Sequence, residues 1–190
     1  DLDGIDEGTS SFIRLIWNLN ELTTDEAICS WGDPGIPEMN FNTWTSSHDQ
    51  LKGLYARFYF GISLCNLFLN ETEGQTDEKS IKQRAEARYM RALNYYYLLD
   101  MFGNVAFATK VTTELPKQIS RAELYDWILN ELKEIEGDMY APRTGSYYRA
   151  DQAANWMLQT RMYLNAEVYT GTAQWNKAAE YSMKVMTSAY

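Results

Sequence analysis

The sequence predicts an all-α fold of paired helices joined by long loops, and three observations lead to this prediction. Apolar residues recur at helical spacing in several long segments that lack proline. Residues that favour turns are concentrated in a few loops between those segments. Near the C-terminus, only a three-residue turn separates two such segments, which predicts an antiparallel helical hairpin.

The clearest helix lies in residues 79–107. Its apolar and aromatic residues follow one another at steps of four, four, three, four and three, and they are Ile81, Ala85, Tyr89, Ala92, Tyr96 and Leu99. The opposite face is predicted to be charged, with Lys82, Arg84, Glu86, Arg88 and Arg91. Gly103 is the expected C-terminal cap. We expect the tyrosines to lie in the core and the arginine head groups to find acids.

Three more helices precede and follow it. Ser10 or Ser11 would cap a helix that runs to Leu19. Residues 48–71 predict a buried helix, because their apolar run of 12 residues is shorter than the roughly 20 needed to span a bilayer. After an extended stretch over residues 105–119, Ser120 and Glu123 form a capping box, and that helix stops near Gly137.

The last two predicted helices form the hairpin. Asp151 is a candidate cap for a helix that ends at Gly171, and the next helix begins near Gln174. Long helices in antiparallel pairs, with alanine where backbones cross, are typical of tetratricopeptide-like stacking. We therefore expect these pairs to form a superhelical scaffold.

Length and chain ends bear on domain organisation. A chain of 190 residues is long enough for one domain with its own core and short for two. The chain begins without Met, and the last helix reaches Tyr190 with no cap. We expect residues 1–190 to be one domain and the N-terminal portion of a longer protein.

Charge and cysteine content exclude several classes of protein. A net charge of −9 argues against a nucleic-acid or polybasic membrane binder, since both need a positive surface. Two cysteines are too few for a disulfide framework.

No catalytic or metal-binding pattern is present in the sequence. There is one histidine, His48, and no GxSxG, P-loop or CxxC motif. We expect His48 to be solvated or to serve as a cap partner. Paired carboxylates for glycoside cleavage remain an alternative in so acidic a chain, although nothing selects a pair. The prediction is a protein that is not an enzyme and needs no metal or cofactor.

The candidate binding site is the loop over residues 30–47, which is the longest loop in the chain. It combines flat aromatic rings with carboxylates and amides, namely Trp31, Asp33, Glu38, Asn40, Asn42 and Trp44. A sugar has an apolar C–H face and a rim of hydroxyls, so its site needs both kinds of side chain. In the alternative interpretation, the two tryptophans fold back and plug the scaffold. Tyr147 and Tyr148, in a second Gly/Pro loop, are weaker candidates.

The long helix and the hairpin carry a resemblance to a known family. The segment 85–92 (AEARYMRA), the tyrosines 95–97, Leu99 and the segment 102–105 (FGNV) resemble the SusD/RagB family of nutrient-binding outer-membrane lipoproteins found in Bacteroidetes. The hairpin over residues 153–190 is similar to a later helix pair of the family. Ala106 departs from the pattern, because the family usually has proline there.

The resemblance implies a fold and a function. The fold would be α-helical, with tetratricopeptide-like pairs as scaffold and loops that carry the ligand contacts. The function would be binding of a glycan at the cell surface, on a SusC-type TonB-dependent transporter, without catalysis. Attachment to the outer membrane would use a lipidated cysteine that this chain lacks. The alternative is a tetratricopeptide-like adaptor that binds a protein or peptide and has no glycan affinity.

Overall fold

The computed structural model describes residues 11–190, and over this range the chain is predominantly α-helical, as predicted. The helices are α1 (Phe12–Glu21), α2 (Ile36–Asn40), α3 (Asp49–Glu71), α4 (Glu78–Phe102), α5 (Arg121–Ile135), α6 (Gln152–Leu164), α7 (Ala166–Thr170) and α8 (Trp175–Met186). Strands β1 (Val105–Phe107) and β2 (Lys117–Ile119) pair antiparallel, with Val105 opposite Ile119. A 3₁₀ turn, Glu136–Asp138, follows α5. Ser10, one of the two predicted N-caps, lies outside the described residues.

The chain divides into two compact units, one ending at Phe60 and the other running from Gly61 to Tyr190. Residues 49–60 of α3 belong to the first unit and residues 61–71 to the second. The expectation of a single domain stays a prediction. In the described part of the chain, every helix is too short or too polar to cross a membrane.

Helix α4 has the ends that its sequence predicts. The Asp77 carboxylate accepts a hydrogen bond from the backbone N–H of Ser80 at 3.1 Å, which caps the first turn. Gly103 ends the helix at φ 73°, and its N–H donates to the carbonyl of Leu99. A residue with a side chain would be strained at this φ, so glycine suits the position.

The buried face of α4 is wider than predicted. The predicted apolar residues are buried from Ala85 to Leu99, but Ile81, in the first turn, is 37% exposed. Arg91 was expected on the charged, solvated face and is buried instead. The reason is that α4 packs against α5, α6 and β1, so neighbours surround more than one side of it.

Helix α5 begins with the predicted capping box. The Ser120 hydroxyl accepts from the N–H of Glu123, and the Glu123 carboxylate accepts from the N–H of Ser120 at 3.1 Å. Its predicted apolar residues are buried, with one exception. Trp127 is only half-buried, because it lies at the edge of the helix packing beside Phe107 of β1.

The helix predicted from Asp151 to Gly171 is interrupted once. The Asp151 carboxylate caps α6 by accepting from the N–H groups of Ala153 and Ala154. At Asn165 the side-chain amide donates to the carbonyl of Arg161 at 3.2 Å, and α6 ends at the preceding residue. The backbone N–H of Asn165 donates to the same carbonyl at 3.2 Å, so Asn165 closes the last turn of α6 with both its backbone and its side chain. Helix α7 follows and ends at Gly171, as predicted, and α8 then packs along α6.

Candidate functional site

The loop over residues 30–47 lies in the first unit and is built around a short helix that the sequence pattern did not reveal. Helix α2 follows a turn closed by the hydrogen bond from Ile36 N to Asp33 O at 3.1 Å. Ile36 and Met39 are fully buried in a small core with Leu22. Aliphatic side chains therefore anchor this loop within the first unit.

The start of α3 holds the same turn from another side. Backbone N–H of Gln50 donates to His48 Nδ1 at 3.2 Å, so the proton of the neutral ring lies on Nε2. That Nε2 then donates to the carbonyl of Gly35 at 3.2 Å. The side chain of Gln50 adds a bond to the carbonyl of Pro34 and accepts one from Asn18. His48 is thus a half-buried cap partner.

The two tryptophans of the loop are exposed. Trp31 is 65% accessible and Trp44 is 44% accessible. The guanidinium of Arg14 lies 5.5 Å from the centroid of the Trp31 ring and forms an ion pair with Asp33 at 2.5 Å. Arg14 therefore fixes both Trp31 and Asp33 in one place. Their role as ligand contacts stays a prediction.

The other predicted polar residues divide into two kinds. Glu38 is exposed in the first turn of α2, where its carboxylate lies free of hydrogen bonds to any residue of the described range. Asn40 has both amide atoms engaged, because it donates to Cys29 O at 2.7 Å and accepts from Cys29 N at 3.2 Å. Asn42 adopts φ 53° and donates to Thr23 O. The two asparagines shape the loop.

Phe41 is an exposed aromatic residue that the sequence analysis missed. It follows α2 directly and is 69% accessible. Its position between two asparagines, in a segment without helical or strand periodicity, is the signal that would have indicated exposure. The loop therefore presents three aromatic rings to solvent.

The second predicted loop belongs to the second unit. Tyr147 and Tyr148 are both highly exposed, and the segment around them is held at Arg149, which forms an ion pair with Glu86 of α4. Within residues 11–190 there is no group of three or more His, Cys, Asp and Glu side chains placed to hold a metal ion.

Comparison with known proteins identifies the family. A family model described as "Starch-binding associating with outer membrane" matches residues 10–184. The chain is 48% identical to the starch-binding protein SusD of Bacteroides thetaiotaomicron, over all of this chain and 35% of that protein. It is also 26% identical to a SusD-like protein of Bacteroides ovatus, over 70% of this chain and 24% of the relative. The chain thus spans about a third or less of the length of these relatives.

Solved structures agree with this assignment. A SusD superfamily protein from Parabacteroides distasonis superposes with a TM-score of 0.76 at 25% identity, over 90% of this chain and 38% of that one. A SusD superfamily protein from Bacteroides thetaiotaomicron gives 0.77 at 18% identity, over 98% and 44%. The second likeness shows the fold alone. Together with the family model, these matches confirm the predicted resemblance: the chain belongs to the SusD-like family.

Proposed function

We propose that this protein binds an oligosaccharide or polysaccharide at the cell surface, and that residues 30–47 contribute to the binding site. The observation that carries the proposal is the exposure of Trp31 and Trp44 on a loop that is anchored by buried Ile36 and Met39. Exposed indole rings cost free energy in the unliganded protein, and a bound ligand that covers them removes this cost. A rigid aromatic surface also binds with little loss of conformational entropy.

The chemistry of the loop suits a sugar. The apolar C–H face of a pyranose ring stacks on an indole ring, and carboxylates accept hydrogen bonds from its hydroxyls. Glu38 offers a free carboxylate and Asp33 offers one that Arg14 holds in place. Asn40 and Asn42 then act as positioning residues. Identity of 48% with a starch-binding protein makes an α-glucan the first ligand to test.

The family supports the remaining parts of the proposal. Its description associates it with the outer membrane, and we place this protein there, at the cell surface and held by a lipid anchor. A SusC-type TonB-dependent transporter is the proposed partner that receives the glycan. The protein itself performs no catalysis. Family membership favours this function over the tetratricopeptide-like adaptor that binds a protein or peptide.

Affinity gel electrophoresis of the full-length protein tests the site. Soluble starch and a panel of other polysaccharides are cast into native gels, and the wild type is compared with Trp31→Ala and Trp44→Ala. Trp175→Ala is the matched control, because that residue is an equally exposed tryptophan in the second unit. We expect the two loop variants to migrate with less retardation and the control to match the wild type.

Three results would overturn parts of the proposal. A wild-type protein that is retarded by no polysaccharide removes the glycan-binding function, and loop variants retarded like the wild type remove the loop assignment. Release of reducing sugar during prolonged incubation would show a hydrolase instead.

A further inference from the structure

A cleft of about 400 Å³ in the second unit concentrates positive charge in a protein whose net charge is −9. Its charged lining residues are Arg84, Arg88, Arg91, Lys110, Glu73 and Glu131. A volume of this size falls in the range of small-molecule sites. Four cations against two acids make it a candidate for an anionic ligand.

Two of the four cations are already paired with protein carboxylates. Arg88 uses the edge formed by Nε and Nη2 to hold both oxygens of Glu131, at 2.9 and 2.8 Å, and it also contacts Glu134. Arg91 donates from Nη2 to Glu131 and from Nη1 to Asn66. These two arginines are matched by two glutamates, so they leave little free charge.

Arg84 is different, because the edge of its guanidinium formed by Nε and Nη2 is unused. Its Nη1 donates to the carbonyl of Leu69 and to the hydroxyl of Thr72, both at 2.8 Å, and thereby caps the end of α3. Its Nε and Nη2 have no acceptor within residues 11–190. This is the edge with which a guanidinium binds a carboxylate through two parallel hydrogen bonds, as Arg88 does with Glu131.

Lys110 adds a second free cation to the same cleft. It is exposed and belongs to no ion pair in the described part of the chain. The backbone beside it is fixed, since the carbonyl of Thr109 accepts from Arg91 Nη1 at 2.9 Å. Glu73, also exposed, is the remaining acid of the lining. Arg84 and Lys110 together outweigh its charge.

The aromatic residue of the cleft is not available as a platform for a neutral sugar. The guanidinium of Arg91 lies 5.6 Å from the centroid of the Trp127 ring. Tyr95 and Phe107 meet the same ring edge-on, at 5.2 and 5.0 Å between centroids. Recognition in this cleft therefore relies on charge and hydrogen bonds rather than on stacking.

We infer that this cleft binds a carboxylate-bearing sugar, a hexuronic acid, with its carboxylate on the Nε and Nη2 edge of Arg84 and with Lys110 as the second cation. The cleft is larger than a lone ion requires, which leaves room for a sugar ring. Asn70, another lining residue, donates from Nδ2 to Glu71 at 3.3 Å, and its amide oxygen is left to accept from a ring hydroxyl. The choice of a sugar as carrier rests on the proposed function, whereas the carboxylate site itself does not.

Isothermal titration calorimetry of the full-length protein tests the inference with D-glucuronate, D-glucose and propionate at low salt. We expect glucuronate to bind more tightly than either of the others and to weaken as NaCl is raised. Arg84→Gln should weaken glucuronate binding by about tenfold to a hundredfold, because it removes a charge-assisted bidentate contact. Arg84→Lys keeps the positive charge but cannot form two parallel hydrogen bonds, so its loss of glucuronate affinity should be intermediate.

Lys110→Gln should weaken binding by a few-fold, and because the residue is exposed, this variant keeps the test valid if Arg84→Gln does not fold. Lys117→Gln, an exposed lysine outside the cleft, is the matched control and should change nothing. No binding of glucuronate, or equal binding by Lys110→Gln and the wild type, overturns the site. Propionate bound as tightly as glucuronate overturns the sugar. Neutral polysaccharide should still retard Arg84→Gln in affinity gels. This result tests glycan binding by residues 30–47 separately from the carboxylate site.

Discussion

Arg91 of α4 and Glu131 of α5 form a buried ion pair, with Nη2 of the arginine 2.5 Å from Oε1 of the glutamate. Their side chains are only 7% and 8% accessible. Arg88 completes the arrangement by a bidentate contact to the same carboxylate. Glu131 thus bonds both arginines, Glu134 supplies the second negative charge at Arg88, and the cluster ties the two longest helices of the second unit together.

Replacing Glu131 with glutamine should destabilise the protein by about 3–5 kcal/mol, because Arg91 would keep its charge in a buried position without a counter-ion. Glu134→Gln is the matched control. Its carboxylate also contacts Arg88 but is largely exposed, so we expect a loss below about 1 kcal/mol. Urea unfolding of both variants measures the difference. Equal midpoints would show that the buried ion pair contributes no more to stability than the exposed one.

The same pair should make stability depend on acid pH. Burial disfavours the ionised carboxylate of Glu131, but hydrogen bonds and charge from Arg88 and Arg91 outweigh burial and hold its pKa below the ordinary 4.5. The contribution of Glu131 is therefore complete above about pH 4.5 and is lost as the pH falls through the lowered folded-state pKa. The free-energy gap between wild type and Glu131→Gln should narrow from neutral pH to about pH 3. A constant gap across this range would contradict the assignment.

Two glycines of the candidate loop should respond differently to alanine. Gly35 adopts φ 89°, and a Cβ there would lie 2.8 Å from the ring of His48. Gly35→Ala should cost about 1–3 kcal/mol from strain and crowding and should weaken retardation by polysaccharide. Gly32→Ala meets no atom within 4 Å and should change stability by less than about 0.5 kcal/mol. Thermal unfolding measures stability and affinity gels measure retardation by polysaccharide. Identical behaviour of the two variants would argue against a rigid turn at Gly35.

Sequence periodicity and end signals predicted most of the helical architecture. The capping box at Ser120, the cap at Asp151 and the stop at Gly171 all depend on residues within a few positions of one another, which is why a sequence reveals them. The family resemblance rested on α4, whose pattern is equally local.

Features that depend on distant residues were missed. Arg91 looked like a surface charge because its partner Glu131 is 40 positions away. Helix α2 was hidden among prolines and glycines, and its two buried residues gain their meaning only from Leu22. Asn40 carried no signal of its pairing with Cys29, so one residue of the predicted site proved to be occupied by the fold.

The hydroxyl of Tyr95 donates to the carbonyl of Ala108 and accepts from its N–H, both at 2.9 Å. Ala108 follows β1 directly. The Tyr95 phenol therefore satisfies both backbone hydrogen-bonding groups of the residue at the end of this strand. The base of the β-hairpin is closed by a helix side chain, and residues 111–116 beyond it are exposed. Residues 111–116 are consequently a place in the second unit where an epitope tag or fluorescent label can be inserted without disturbing helix packing.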